Sequence, residues 1–170
     1  MVDQLTLQTL GILLTGVSVS IAAVYYTLTL RNTNQTRQAQ LFMQIYSRFD
    51  DSDWLINWAN VVRQWEWTDY EDWYSKYSPE MNIEAARQYS SVAAYFEGIG
   101  VLVYKNMIDV DIVADLISRW ITIFWEKIGP IIKERRIRNN NDYVWEWNEW
   151  LYNKIKKRQP SRKPAYLLNK

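Results

Sequence analysis

The sequence predicts an all-α protein in which an N-terminal transmembrane helix continues into a cytoplasmic helical bundle. Residues 4–30 contain no charged side chain, whereas charged residues occur throughout the 140 residues that follow. The 170-residue chain has only 5 Gly and 4 Pro, and no Asn-Gly or Asp-Gly pair marks a hairpin between alternating apolar runs. Apolar side chains instead recur at helical spacing along the charged part of the chain.

Residues 1–30 are predicted to form a transmembrane anchor. About 20 predominantly apolar residues cross a hydrocarbon core of roughly 30 Å, and residues 4–30 exceed that length. A cleaved signal peptide would carry positive charge before its apolar core, but the charged side chain that precedes this core is Asp3. Because Lys and Arg stay on the cytoplasmic side of a span, Arg31 and Arg37 set the orientation. We expect a single-pass protein of the cell membrane, with its N-terminus outside and its C-terminal domain in the cytoplasm.

One face of the anchor is predicted to pack against another helix. Small and weakly polar residues recur there at alternating spacings of three and four, which form one stripe on a helix. The stripe consists of Gln8, Gly11, Thr15, Ser18 and Ala22. Such stripes let two membrane helices approach closely and hydrogen-bond, so we expect a homo-oligomer or another protein partner. The alternative is that a marginally apolar anchor tolerates these residues without any partner.

The rest of the chain is predicted to comprise a juxtamembrane helix (residues 31–50), a helical bundle domain (51–158) and a flexible basic tail (159–170). No Gly or Pro interrupts residues 31–49, so the first helix is expected to run to about Phe49. Asp51 and Asp53 offer N-cap side chains for a second helix, in which Trp54, Trp58 and Trp65 share a core-facing side. The acidic and aromatic segment 66–77 is expected to be a loop.

A central helix is predicted from Pro79 to about Lys105, because Ser78 can cap it and Pro suits the first helical position. Gly98 and Gly100 lie inside this helix and cost about 1 kcal/mol each relative to Ala. We therefore expect another helix to pack closely against them.

Two further helices complete the predicted bundle. Asp109 or Asp111 caps the first, which Gly129-Pro130 is expected to kink or break. Asp142 is expected to cap the last helix, over residues 143–158.

The composition excludes much of enzyme chemistry. The chain contains neither Cys nor His, which rules out disulfides, thiolate or imidazole metal ligands, and Ser-His-Asp or Cys-His catalysis. We predict no catalytic residue, no metal site and no cofactor. The acidic run from Asp109 to Asp115 lacks the glycine turn and terminal Glu of a calcium loop. Glu97 lies in an apolar run, where it is either a buried carboxylate with a raised pKa or a partner of Tyr or Arg87.

The C-terminal region combines aromatic and basic residues and is a candidate site for a lipid interface or an anionic partner. Its members are Trp145, Trp147, Trp150, Lys154, Lys156, Lys157, Arg158, Arg162 and Lys163. Trp with Lys and Arg on an amphipathic helix is typical of binding to anionic lipid headgroups. The alternative is a last bundle helix followed by a solvated tail.

Two segments resemble a known kind of protein. Residues 25–32 (YYTLTLRN) with 36–41 (TRQAQL), and residues 95–103 (YFEGIGVLV) with 107–109 (MID), are similar to uncharacterised prokaryotic single-pass membrane proteins with a helical cytoplasmic domain. These proteins are domains of unknown function. The resemblance implies an anchored helical fold and no activity.

These observations favour a structural role over catalysis. We expect a membrane-tethered helical interaction or scaffold protein whose partners are the lipid bilayer, anionic lipids and a second copy or another protein. One alternative is a membrane-surface enzyme that uses carboxylates and a hard cation such as Mg²⁺. The other is nucleic-acid binding through the basic aromatic C-terminus, which no recognised nucleic-acid-binding pattern supports.

Overall fold

The computed structural model describes residues 3–158 and shows within them a helical protein without β-strands. The predicted all-α class is confirmed. The described α-helices are α1 (Gln4–Tyr46), α2 (Ser52–Ala59), α3 (Tyr70–Tyr77), α4 (Ile83–Tyr104), α5 (Val110–Asn139) and α6 (Glu146–Arg158). A 3₁₀ turn, Ser47–Asp50, follows α1, and a π-helical turn, Asn60–Gln64, follows α2.

The chain divides into two compact units, with the boundary between Leu41 and Phe42. The first unit consists of most of α1. The large apolar side chains of its N-terminal part are exposed, among them Ile12 at 74% and Val17 at 58%. By length and composition alone, this is the one helix of the described chain that could cross a membrane.

Five hydroxyl groups in the apolar part of α1 are satisfied within the helix. Thr9, Thr15, Ser18, Ser20 and Thr27 each donate to the backbone carbonyl four residues earlier, over 2.8–2.9 Å. An unpaired hydroxyl would be costly in an apolar environment. These side chains therefore do not prevent α1 from occupying such an environment.

Side-chain caps start four of the helices in the second unit. The carboxylates of Asp51, Asp69 and Asp109 and the amide oxygen of Asn82 each accept a hydrogen bond from a backbone N–H two or three residues later, over 2.7–3.3 Å. Each bond satisfies an N–H that has no partner inside the helix. Asp51 and Asp109 cap α2 and α5 as predicted from the sequence.

The segment 66–77 is not a loop throughout, because α3 occupies its second half. Asp69 caps this helix, and Lys76 pairs with Asp72 one turn earlier at 2.8 Å. Trp73 is completely buried. Burial of this indole favours the folded helix by on the order of 2–3 kcal/mol. This is how a segment of polar composition forms a helix.

The central helix α4 begins at Ile83 rather than at Pro79. The carbonyl of Ser78 accepts from the N–H groups of Met81 at 3.1 Å and Asn82 at 2.8 Å, so residues 78–81 form a turn. Asn82 is the actual N-cap, and its amide oxygen accepts from the N–H of Ala85 at 3.0 Å.

Helix α5 continues through Pro130 to Asn139, so of the expected kink or break at Gly129-Pro130 the break is wrong. Pro130 is exposed, so its ring lies on the outer side of the helix. Its missing N–H cannot make the helical hydrogen bond to the carbonyl of Glu126. Gly129 is required for a different reason: a Cβ there would lie 2.9 Å from the indole nitrogen of Trp125.

The last helix, α6, begins at Glu146 rather than at Tyr143, and Asp142 lies in the preceding turn. Trp145 adopts a left-handed conformation with φ of 54°, which a helix does not contain. This residue separates the turn from the helix and fixes where α6 starts.

Helix α4 is the centre of the second unit and contacts α2, α3 and α6. Its buried side includes Tyr89, Val92, Phe96 and Ile99. Helix α6 lies against α4 and α5 and buries Leu151 and Ile155.

The two glycines of α4 differ in their surroundings. A Cβ at Gly100 would lie 2.9 Å from the carbonyl carbon of Trp147 at the start of α6, whereas a Cβ at Gly98 would meet no atom within 4 Å. The close approach of α4 and α6 therefore involves Gly100 alone.

We predict different effects on stability for alanine at Gly100 and at Gly98. Gly100→Ala should lower the free energy of unfolding by about 1–3 kcal/mol, because backbone atoms of α6 must move to make room. Gly98→Ala should leave it unchanged or raise it by up to about 1 kcal/mol, because Ala favours the helix. Urea denaturation of the detergent-solubilised full chain, followed by far-UV circular dichroism, measures both. Equal effects of the two variants would contradict the close contact.

Candidate interaction surfaces

The described residues contain no group of three or more acidic side chains placed to hold a metal ion. The candidate functional features are two surfaces, a groove on α1 and the aromatic side of α6. The polar contacts that hold the first turn of α6 position the second of these surfaces.

The groove on α1 brings together part of the predicted packing face. It has a volume of about 660 Å³ and is lined by Gln8, Gly11, Ile12, Thr15, Gly16 and Val19. Of the five predicted residues, Gln8, Gly11 and Thr15 line the groove, and Ser18 and Ala22 do not. Gly16 also lines the groove and was not predicted, although its missing side chain widens the groove.

Gln8 differs from the other polar residues of this face. The hydroxyls of Thr15 and Ser18 already donate within the helix. No hydrogen bond is described for the amide of Gln8, which is exposed. In an apolar environment this amide would require a partner outside α1.

The predicted C-terminal site divides into several groups. Trp147 and Trp150 lie beside Tyr104 of α4, with ring centroids 4.6 and 5.6 Å from the tyrosine. Lys154 follows on the same side, with its ammonium 5.8 Å from the ring of Trp150. These four side chains form one surface.

Other members of the predicted site are engaged elsewhere. Trp145 precedes α6, and its indole N–H is buried without a partner among the described atoms. Lys156 pairs with Glu126 at 3.0 Å, and Arg158 pairs with Asp111.

The remaining predicted members are Lys157, Arg162 and Lys163. Lys157 is exposed, and no ion pair is described for it. Arg162 and Lys163 lie outside the described residues.

Glu97 of α4 caps the first turn of α6. Its carboxylate accepts a hydrogen bond from the N–H of Asn148 at 2.7 Å. Burial raises the pKa of Glu97, although the backbone hydrogen bonds from Asn148 and Trp147 oppose that rise. Of the two expectations for this residue, the structure supports the partly buried carboxylate, because Arg87 pairs with Glu84 instead, at 2.8 Å.

Asn148 and Glu149 also hold α6 in place, and neither was predicted from the sequence as a functional residue. Asn148 is completely buried and donates to the carbonyl of Ala93 at 2.8 Å. Glu149 pairs with Lys133 at 2.9 Å and with Arg136. A sequence signal existed for Asn148, which lies three and seven residues before Leu151 and Ile155 on the apolar side of α6.

A second pocket, of about 370 Å³, is lined by Glu66, Trp67, Thr68, Asp72, Lys76 and Lys127. Its charges are largely satisfied internally. Lys76 pairs with Asp72, and the ammonium of Lys127 lies 4.4 Å from the Trp67 ring centre. We assign no ligand to this pocket.

We predict that Glu149→Gln lowers the free energy of unfolding at neutral pH by about 1.5–3 kcal/mol, since it removes charged hydrogen bonds. Burial raises the pKa of Glu149, but the bonds from Lys133 and Arg136 outweigh it and leave the pKa lowered. A carboxylate with a lowered pKa stabilises the fold above its unfolded pKa, and this contribution is lost as the pH falls through the folded pKa. Urea denaturation between pH 7 and pH 3 should therefore show the difference from the unmodified chain disappearing in acid.

Glu97→Gln should show the opposite pH dependence. Because the folded pKa of Glu97 is raised, the native state binds the proton more tightly than the unfolded chain does. The unmodified chain should gain stability relative to Glu97→Gln as the pH falls through the raised pKa towards the ordinary glutamate value, about 4.3. The same denaturation series measures this, and parallel pH profiles for both glutamine variants would contradict the assignment of the two carboxylates.

The chain matches a known protein family. Residues 13–155 match a family model described as a domain of unknown function (DUF4760). No curated protein and no solved structure matches the chain. The expectation of an uncharacterised family is confirmed, while prokaryotic origin and a membrane context stay predictions. Because the match covers well over half of the 170 residues, the chain belongs to the DUF4760 family of domains of unknown function.

Proposed function

We propose that this protein is a membrane-tethered helical interaction protein that self-associates through α1. Residues 1–30 form its single membrane span, the N-terminus lies outside the cell, and residues 31–170 lie in the cytoplasm. The second helical unit is the part that recruits or organises a partner. The observation that carries this proposal is the uniform exposure of the apolar side chains on the N-terminal part of α1.

An anchor in lipid accounts for this exposure. Leu5, Ile12 and Leu14 are each more than 60% exposed, and exposing apolar surface to water costs about 25 cal/mol per Å². Residues 4–30 extend for about 40 Å as a helix, more than the roughly 30 Å of a hydrocarbon core. Arg31 and Arg37 directly follow this segment, which supports the cytoplasmic placement of the C-terminal side.

Self-association accounts for the groove and for Gln8. Gly11 and Gly16 leave open space along the groove, into which a neighbouring helix can pack. The unpaired amide of Gln8 would be costly in hydrocarbon. The same amide on a second copy provides both a donor and an acceptor, so a symmetric pair of helices satisfies both groups at once.

The described residues support neither a membrane-surface enzyme nor nucleic-acid binding through the C-terminus. Asp109 serves as the cap of α5 and Glu97 as a cap for α6, so these two acids are already used by the fold. The part of the basic tail that nucleic-acid binding requires lies outside the described residues.

We predict that single cysteines will report the proposed topology, because the natural chain contains none. In cells, Asp3→Cys should react with a membrane-impermeant maleimide and Asn153→Cys should not. Both should react after permeabilisation, which controls for accessibility. Both variants should remain in the membrane pellet at alkaline pH. Recovery in the soluble fraction, or labelling of Asn153→Cys in intact cells, would overturn the proposed anchor or its orientation.

We predict that Gln8→Leu weakens self-association by about threefold to twentyfold, the range expected for loss of an interhelical polar pair in a membrane. Thr9→Leu is the matched control, because it also replaces a polar side chain by Leu. The hydroxyl of Thr9 donates to a backbone carbonyl within the helix, and Thr9 does not line the groove. Energy transfer between labelled copies in micelles, measured over a range of protein-to-detergent ratios, gives the association constants.

Two results would contradict self-association through this face. One is an unmodified chain that stays monomeric at all ratios. The other is equal association of Gln8→Leu and Thr9→Leu.

A further inference from the structure

We infer that Tyr104, Trp147, Trp150, Lys154 and Lys157, which we call the α4–α6 aromatic surface, bind the anionic headgroups of a lipid bilayer. This inference rests on the proposed membrane anchor and gives the second unit a site of its own. It also narrows the C-terminal candidate site from nine residues to four and adds Tyr104.

The aromatic part of this surface is a cluster of three rings that the core does not enclose. Tyr104 is 52% exposed, and Trp147 and Trp150 are partly exposed. The ring centroids of the two tryptophans are 6.1 Å apart, and both contact Tyr104. Trp and Tyr rings with one apolar and one polar end favour the headgroup level of a membrane.

The basic part of the surface follows from the helical spacing of α6. Trp147, Trp150, Lys154 and Lys157 are separated by three, four and three residues, so they share one side of the helix. No ion pair with an acid is described for either lysine. Lys156 and Arg158, by contrast, pair with Glu126 and Asp111 and are held against α5.

In a helix that serves packing alone, the tryptophans would be expected on the buried side. Asn148, Leu151 and Ile155 already form the buried side of α6, and the polar contacts of Glu149 secure it to α5. The two tryptophans are therefore not needed to complete the described core. Lys154 lies beside the ring of Trp150, and Lys157 follows on the same side of α6. Two cations on the side that carries these amphipathic rings complement an anionic, partly apolar surface, which is the chemistry of phosphatidylserine-containing membranes.

The test uses the full chain in nanodiscs of phosphatidylcholine alone or with one third phosphatidylserine, in both cases with brominated acyl chains that quench nearby indoles. Tryptophan quenching should be greater in the anionic discs, and 0.5 M salt should reduce the difference, because salt screens exposed charges. Trp147→Phe/Trp150→Phe should abolish the difference, which identifies the two indoles as its source.

Lys154→Gln/Lys157→Gln should lower the equilibrium constant for headgroup contact by about thirtyfold, as expected for two basic residues at an anionic surface. Arg63→Gln is the matched control and should have no effect. Like Lys154, Arg63 is an exposed cation beside an indole, with its guanidinium 6.0 Å from the ring of Trp58, but it lies on the π-helical turn rather than on α6.

The outcomes separate this inference from the proposed function. A chain that does not co-purify with either disc overturns the anchor, and the lipid site with it. A chain that is retained but is quenched equally in both discs overturns the lipid site alone. Relief of quenching by single-stranded RNA at physiological salt, with no effect of phosphatidylserine, overturns it in favour of a nucleic-acid surface.

Discussion

The close approach of α6 to α4 at Gly100 is the contact on which the arrangement of the second unit depends. Because Gly100 has no side chain, the backbone of Trp147 lies directly against α4. The carboxylate of Glu97 then reaches the first turn of α6, where helix N–H groups lack internal partners, and the side chain of Asn148 reaches the carbonyl of Ala93. Three contacts within about one helical turn fix the position and the rotation of α6.

The fixed rotation of α6 determines what each of its sides can do. Leu151 and Ile155 face inward, Glu149 reaches the cations of α5, and Lys156 reaches Glu126. The side that carries Trp147 and Trp150 remains at the surface. The exposure of these two tryptophans is thus a consequence of the glycine contact and the buried asparagine, since a different rotation would bury the indoles and expose apolar residues.

The sequence contained enough information for the fold class and for some helix starts, but not for the packing of α6. The uncharged segment and the helical spacing are local patterns, and the caps at Asp51 and Asp109 act over two or three residues. By contrast, α3 forms in a polar segment because Trp73 finds a buried site that distant residues create. Helix α5 tolerates Pro130 because that residue is exposed, and exposure is a property of the tertiary structure.

The same reasoning explains why the candidate sites were only partly predictable. Spacing placed Gln8, Gly11 and Thr15 on one side of α1, because a single helix has a fixed period. Spacing also separates Lys154 from Lys156, because residues two apart lie on different sides of a helix, but it could not show that Glu126 lies beside Lys156.

The partly exposed indoles of Trp147 and Trp150 on α6 contrast with the buried tryptophans of the chain and need a separate explanation. Six of the ten tryptophans serve packing: Trp54, Trp58, Trp65, Trp73 and Trp125 are at most 7% exposed, and Trp120 contacts the first two through its ring. A fold that buries so many indoles has already met its need for large core side chains. Two further indoles, Trp147 and Trp150, remain partly exposed on the side of α6 that carries Lys154. They add apolar surface without adding to the core, so we assign them to binding rather than to stability.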